Sequence, residues 1–149
     1  MTQQDTKSSD NPPTYGDGDA SYLAAGEQAG LRKLVQTFYD LMAQSPRTER
    51  LINMHPSDRG VSVDKLALFL CGWLGGPRLY NEKYGAIKLP SAHQHLPVTE
   101  QDKEDWLWCM QQALDQQDYA PDFKAYLMRE LRRPAERIVV VCANNGRQP

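Results

Sequence analysis

The chain has 149 residues, 40% hydrophobic and 24% charged, the make-up of a single domain large enough to bury a core. Its 17 basic and 19 acidic residues leave a net charge of −2, which gives none of the basic footprint that nucleic acid demands. No run approaches the length of an apolar membrane span and residues 1–13 carry no leader pattern, so the expected location is the cytoplasm, with neither membrane nor nucleic acid as partner.

Residues 1–20 are rich in Gln, Asp, Ser, Pro and Gly and read as a flexible extension, because they have little apolar surface to offset the cost of ordering. The pattern then changes. Leu31, Leu34, Val35, Phe38 and Met42 fall at helical spacing, and Ser45-Pro46 ends the run. Residues 47–62 predict a short helix and a corner bent at His55-Pro56, since the residue before a proline is pushed toward extended backbone. The next helix is expected from about Val63 to Leu74, with Leu66, Phe69, Leu70 and Trp73 on one face and Lys65 at its edge. Another begins at Thr99 behind the acids Glu100, Asp102, Glu104 and Asp105. Its buried face is Trp106, Cys109, Met110, Ala113 and Leu114.

The last helix opens after Tyr119-Ala120-Pro121 with Phe123, Tyr126, Leu127 and Leu131 as its stripe, and Pro134 is expected to kink or restart it. Ile138 to Cys142 is β-branched like a strand, yet no second strand exists to pair with it. It is therefore read as helix, and the fold class is all-α, with one domain over 21–143 and a tail over 144–149. Cys71, Cys109 and Cys142 are odd in number and set among apolar residues, as buried free thiols are.

Between Trp73 and Trp106 lies a long connection rich in aromatics, with His93 near its end and Pro90 and Pro97 on either side. About 20 residues with little regular structure inside a compact domain mark a functional loop. Phosphate loops, nucleotide fingerprints, HExxH and Cys-x-x-Cys are all missing. One reading of His93-Gln94-His95 is a metal site, but no third histidine and no carboxylate at ligand spacing completes it. Another is an iron porphyrin held by one neutral imidazole in an apolar slot between helices. A third is an aromatic groove that binds a peptide.

The segments FY at 38–39, MHPSD at 54–58, LALFLCGWLGGPRLYNEKYG at 66–85, AHQHLPV at 92–98 and DWLWCM at 105–110 together resemble the group II truncated hemoglobins. The likeness covers about residues 20–143, and the Gly-Gly-Pro and Trp-Leu-x-Cys-Met pieces recur in order at matching intervals. It implies the 2-on-2 globin fold with heme b as cofactor. It also implies His93 as the proximal iron ligand, because His93 keeps the family's interval to Trp106 whereas His95 shortens it by two residues. Tyr39, His55, Ser62 and Trp106 fall at distal positions. Leu66, Phe69, Tyr84, Leu89, Leu96, Val98 and Met110 fall where the macrocycle is lined, and Lys65 where a propionate is paired. The chain departs from the pattern at Ala25-Gly26, where the family has a glycine pair, and at Ala92, where it has an arginine.

The function the resemblance implies is reversible binding of dioxygen and other diatomic ligands, with Tyr39 and Trp106 as hydrogen-bond donors. Redox detoxification at the same iron, by nitric oxide dioxygenation or peroxide reduction with a reductase as partner, is the alternative. The expected assembly is a monomer or homodimer.

Overall fold

The computed structural model of the protein describes residues 14–147. The described residues form helices and turns without strands. In chain order the helices are α1 (Ala20–Ala24), α2 (Glu27–Gln44), a 3-10 turn (Pro46–Thr48), α3 (Glu49–Asn53), α4 (Arg59–Trp73), α5 (Leu79–Tyr84), α6 (Leu89–His93), α7 (Glu100–Asp115) and α8 (Pro121–Arg147). α2 packs on α4 and α7 on α8, with α2 also crossing α7; the short α5 docks on α4 and α6 on α8.

Local chemistry sets these boundaries. Ala25 has right-handed backbone at φ −77°, so a Cβ is tolerated where the family pattern has its first glycine. The left-handed turn falls on Gly26 (φ 87°) and Glu27 (φ 62°), and it brings the Ala25 carbonyl so near Gly30 that a Cβ there would lie 2.1 Å from the oxygen. α4 starts at Arg59, four residues earlier than the apolar pattern indicates, because the Asp58 carboxylate accepts from the Val61 N–H. α7 begins with a capping box in which Thr99 and Asp102 satisfy each other's backbone N–H groups.

The core is drawn from four helices. Leu31, Leu34, Val35, Phe38 and Met42 of α2 meet Ala67, Leu70 and Cys71 of α4, Cys109, Met110, Ala113 and Leu114 of α7, and Phe123, Leu127 and Leu131 of α8. The inward face of α4 differs from the expected one. Val63, Ala67, Leu70 and Cys71 are buried, while Leu66, Phe69 and Trp73 stay only half-buried. Residues 138–142 are helical as expected, and Pro134 does not interrupt α8, which runs past residue 143 to Arg147. The connection from Gly75 to Val98 carries two short helices, α5 and α6, where an irregular passage was expected.

The extension expected over residues 1–20 lies, for its first 13 residues, outside the described residues. Residues 14–19 are docked: the Tyr15 ring packs edge-on to Phe123 at 5.4 Å and its hydroxyl donates to Asp122 at 3.1 Å. Gly75-Gly76 makes room for this segment, since a Cβ on Gly75 would sit 1.9 Å from the Gly18 carbonyl oxygen. All three cysteines are buried free thiols.

Candidate functional site

His93 is the last residue of α6, half-buried, in a helix that lies on α8. Its ring Nδ1 lies 2.8 Å from the Leu89 carbonyl oxygen. A carbonyl can only accept, so Nδ1 carries the hydrogen and the neutral ring presents the Nε2 lone pair, the arrangement that suits a metal-ligating imidazole. The His93 carbonyl accepts from the Leu96 N–H at 2.9 Å and from the Cys142 thiol at 3.1 Å, which ties α6 to α8. His95, by contrast, is exposed.

Tyr39 is 5% exposed in α2, and its hydroxyl makes no hydrogen bond to another described residue. Burial, with a smaller contribution from the nearby Cys109 thiol, holds its phenol well above the ordinary tyrosine pKa, so it remains a donor. The His55 ring stands edge-on to it at 5.3 Å. Desolvation lowers the His55 pKa below its ordinary 6.5 against a smaller opposing effect of the bond to the Leu51 carbonyl, and the proximity of the His93 ring adds a lesser lowering. That bond, 2.8 Å from Nδ1 to the Leu51 carbonyl, fixes the tautomer as in His93.

A cavity of about 230 Å³ opens beside these rings. Tyr39 and Ser62 are its buried lining, His55 is half-buried, and Asn53, Ser57 and Arg59 are exposed at the surface. Trp106 of α7 is half-buried with its ring edge-on to Phe38 at 5.0 Å. Its indole N–H makes no hydrogen bond within the described residues. Phe38 therefore sits between two donors, touching Tyr39 at 5.1 Å on one side and Trp106 on the other.

The remaining residues named from the sequence are distributed unevenly. Leu66, Phe69, Tyr84, Leu89, Leu96 and Val98 are half-buried along α4, α5, α6 and the turn that follows, while Met110 is fully buried in the core. Apolar side chains left half-covered on several elements, together with a hydroxyl that lines a cavity without a protein partner among the described residues, fit a flat apolar cofactor with a polar ligand space. Lys65 is exposed with its ammonium 5.3 Å from the Tyr84 ring centroid. Tyr84 is fixed from its other end, where its hydroxyl donates to Asp64 at 2.5 Å.

Sequence reasoning passed over Arg59, Asn53, Asp64 and Cys142. Arg59 and Asn53 flank the His55-Pro56 corner, so proximity to MHPSD was the available signal. Asp64 accepts from Lys83 at 2.8 Å, Tyr84 at 2.5 Å and Arg32 at 2.5 Å, and these donors hold its carboxyl well below the usual carboxylate range against a small opposing desolvation. No spacing in the chain announces that cluster.

The chain matches the family described as bacterial-like globin over residues 20–138. It is 34% identical over 121 residues to the group 2 truncated hemoglobin YjbI of Bacillus subtilis, covering 81% of this chain and 89% of that protein. Among solved structures, the group II truncated hemoglobin of Bacillus anthracis superposes with a TM-score of 0.74 at 28% identity, covering 87% of this chain and 93% of that one. The group II 2-on-2 hemoglobin of Agrobacterium tumefaciens gives 0.74 at 31% identity, covering 79% and 92%. The helical order, the paired helices and these likenesses lead to one assignment: the chain belongs to the bacterial-like globins, as a group II truncated hemoglobin with the 2-on-2 fold and heme as its cofactor.

Proposed function

We propose that this protein holds heme b through Nε2 of His93 and binds dioxygen and other diatomic ligands in the space bounded by Tyr39, His55, Ser62 and Trp106. The observation that carries the reading is the bond from His93 Nδ1–H to the Leu89 carbonyl at 2.8 Å, which leaves the opposite nitrogen as a fixed donor lone pair. When bound, heme supplies an iron with one coordination position open to a small ligand. The chain supplies the rest. Leu66, Phe69, Tyr84, Leu89, Leu96 and Val98, half-buried here, would offer apolar contact to the macrocycle, with Met110 in the core behind them, and the exposed Lys65 would pair a propionate. Tyr39 and Trp106 bring an O–H and an N–H that have no partner among the described residues, and either can donate to a partly negative ligand atom.

The test is a pair of variants. His93→Ala should lose heme or hold it weakly, while His95→Ala should keep it, read from the visible spectrum and heme content of the purified proteins. Equal loss in both, or loss in His95→Ala alone, overturns the assignment of His93. A second reading, redox detoxification at the same iron with electrons from a reductase, is favoured by one observation, the half-buried imidazole of His55 in the cavity, whose basicity burial lowers. A base beside the ligand is useful where protons move and idle where dioxygen is merely stored.

A further inference from the structure

Of the five residues of α3 only Leu51 is buried, with Ile52 packed partly against the core. Yet this short helix builds much of the cavity wall: Ile52 and Asn53 line it, and the Leu51 carbonyl orients His55. Arg50 gives α3 its polar anchors. Its Nε donates to both oxygens of Asp102, at 3.0 Å each, and its Nη2 donates to the Pro97 carbonyl at 2.6 Å. Asp102 is 3% exposed and also accepts from the Thr99 N–H at 3.0 Å, so it is a fixed point at the start of α7. Pro97 is a different kind of partner. It belongs to the turn that follows His93, in which the Leu96 N–H donates to the His93 carbonyl at 2.9 Å and Leu96 and Val98 stand half-buried on either side of the proline.

From this two-ended contact we infer that Arg50 is a positioning residue, which ties the α3 wall of the ligand cavity to the turn after His93 so that the two move as one. The inference rests on the heme reading above, in which these are the ligand side and the iron-ligand side of a single slot. A guanidinium suits the task because its planar fork carries donors on separate nitrogens, one for the carboxylate and one for the carbonyl. An ammonium would have to serve both from a single atom.

Arg47, three residues earlier, provides the internal comparison. Its Nε donates to Asp105 at 2.8 Å, and Asp105, 9% exposed, also accepts from Gln101 at 2.8 Å. Arg47 therefore clamps α7 through a second shielded carboxylate, much as Arg50 does, but it makes no bond to residues 93–98 among the described residues. Loss of either arginine removes an ion pair to α7. Only loss of Arg50 also releases the turn.

Resonance Raman spectra of the heme-loaded ferrous protein with carbon monoxide test this, the iron–carbon band reporting the cavity and the iron–histidine band, recorded just after photolysis, reporting His93. Arg50→Gln should shift or broaden both bands, and Arg47→Gln neither. Arg50→Lys should recover most of the urea midpoint lost in Arg50→Gln, because the ion pair to Asp102 returns, while both bands stay displaced. In the protein as purified, amides over 49–55 and 94–98 should exchange with solvent about tenfold faster in Arg50→Gln than in wild type, the loss of a charge-assisted bond discounted for a side chain 55% exposed. Arg47→Gln should leave amides over 94–98 at the wild-type rate. Bands displaced equally by both substitutions, by neither, or on one side only overturn the proposal, and so does an Arg50→Lys protein whose bands coincide with those of the wild type. If Arg50→Gln does not fold, the Arg50→Lys bands decide alone. Failure of the heme reading is separate, since it appears beforehand as a protein without heme absorbance, and the exchange measurement then decides on Arg50.

Discussion

At the scale of single residues, the two side chains proposed as distal donors divide by what they touch. Trp106 and Tyr39 both pack edge-on against Phe38, yet Tyr39 alone shares the cavity with His55. Dioxygen is a far better hydrogen-bond acceptor than carbon monoxide, so removing a donor should distinguish between them. Hydrogen bonds to groups carrying charge contribute about 1.5 to 3 kcal/mol, which at roughly 1.4 kcal/mol per decade corresponds to about ten- to a hundredfold. Trp106→Phe keeps much of the apolar bulk and deletes the N–H. Its dioxygen dissociation rate should rise by that factor, with carbon monoxide dissociation far less affected. Combined with Tyr39→Phe, the effect should be coupled and not additive, because the two donors compete for the same acceptor. If Trp106→Phe leaves both rates alone while Tyr39→Phe accelerates dioxygen release, Trp106 is a packing residue and the donor is Tyr39.

At the scale of elements, Asp64 decides how α5 is held. No residue of α5 is fully buried; Leu79 packs at the edge of the core and Tyr80 meets Phe69, and polar contacts add to these, since Lys83 and Tyr84 both reach the Asp64 carboxylate, which Arg32 of α2 also meets. The basic partners are well exposed, Arg32 at 40% and Lys83 at 58%, so solvent screening reduces what the cluster contributes. Asp64→Asn should cost about 1 kcal/mol near neutral pH. The carboxyl's folded pKa is depressed from an ordinary value of 3.8, so its contribution is complete above that value and fades as pH falls through the lower folded one. The gap between wild type and Asp64→Asn, measured by urea unfolding, should therefore be constant from pH 7 to about 5 and narrow below pH 4. A gap that widens on acidification would mean that another group controls the attachment.

The same elements show what the chain discloses before folding. The helical spacing of Leu31 to Met42, and of Cys109 to Leu114, matches helices whose apolar faces are buried. The strand-like run at Ile138 is helical because no strand is available to pair with it. α4 was harder to place, since Leu66, Phe69 and Trp73 look like core residues by periodicity but stay half-covered. A period reports that a face is apolar and cannot say whether protein or cofactor covers it. His93 is singled out in the sequence by the interval to Trp106 that the family resemblance implies, whereas the Leu51 and Leu89 carbonyls that set both histidine tautomers are backbone groups and leave no mark on the sequence. The Arg50 guanidinium, which joins α3 to Asp102 at 3.0 Å and to the Pro97 carbonyl at 2.6 Å, was equally hidden because its partners lie far away in sequence.

For the whole molecule, burial is divided between a continuous core and a margin. α2, α7 and α8 contribute fully buried side chains to one cluster with part of α4, while α5 has none and the side chains of Leu89, His93, Leu96 and Val98 are half-covered. The margin is held by a few tethers, the Asp64 cluster on α5 and the Cys142 thiol under the His93 carbonyl, and on the proposed reading by the cofactor that those apolar side chains would flank. A ligand that binds only the native state adds its binding free energy to native stability, and here the gain should be concentrated where the contacts are. Heme-free protein should keep the α2–α7–α8 core folded, whereas amides over residues 79–98 exchange with solvent far faster than in the heme-loaded form, because local opening is governed by local burial. Hydrogen exchange followed by mass spectrometry of peptides from both forms measures this directly. His93→Ala should show the heme-free pattern even with heme added, and His95→Ala the heme-loaded one. Equal acceleration in α7 and α8 would refute the division into core and margin, and would mean that the cofactor supports the entire fold.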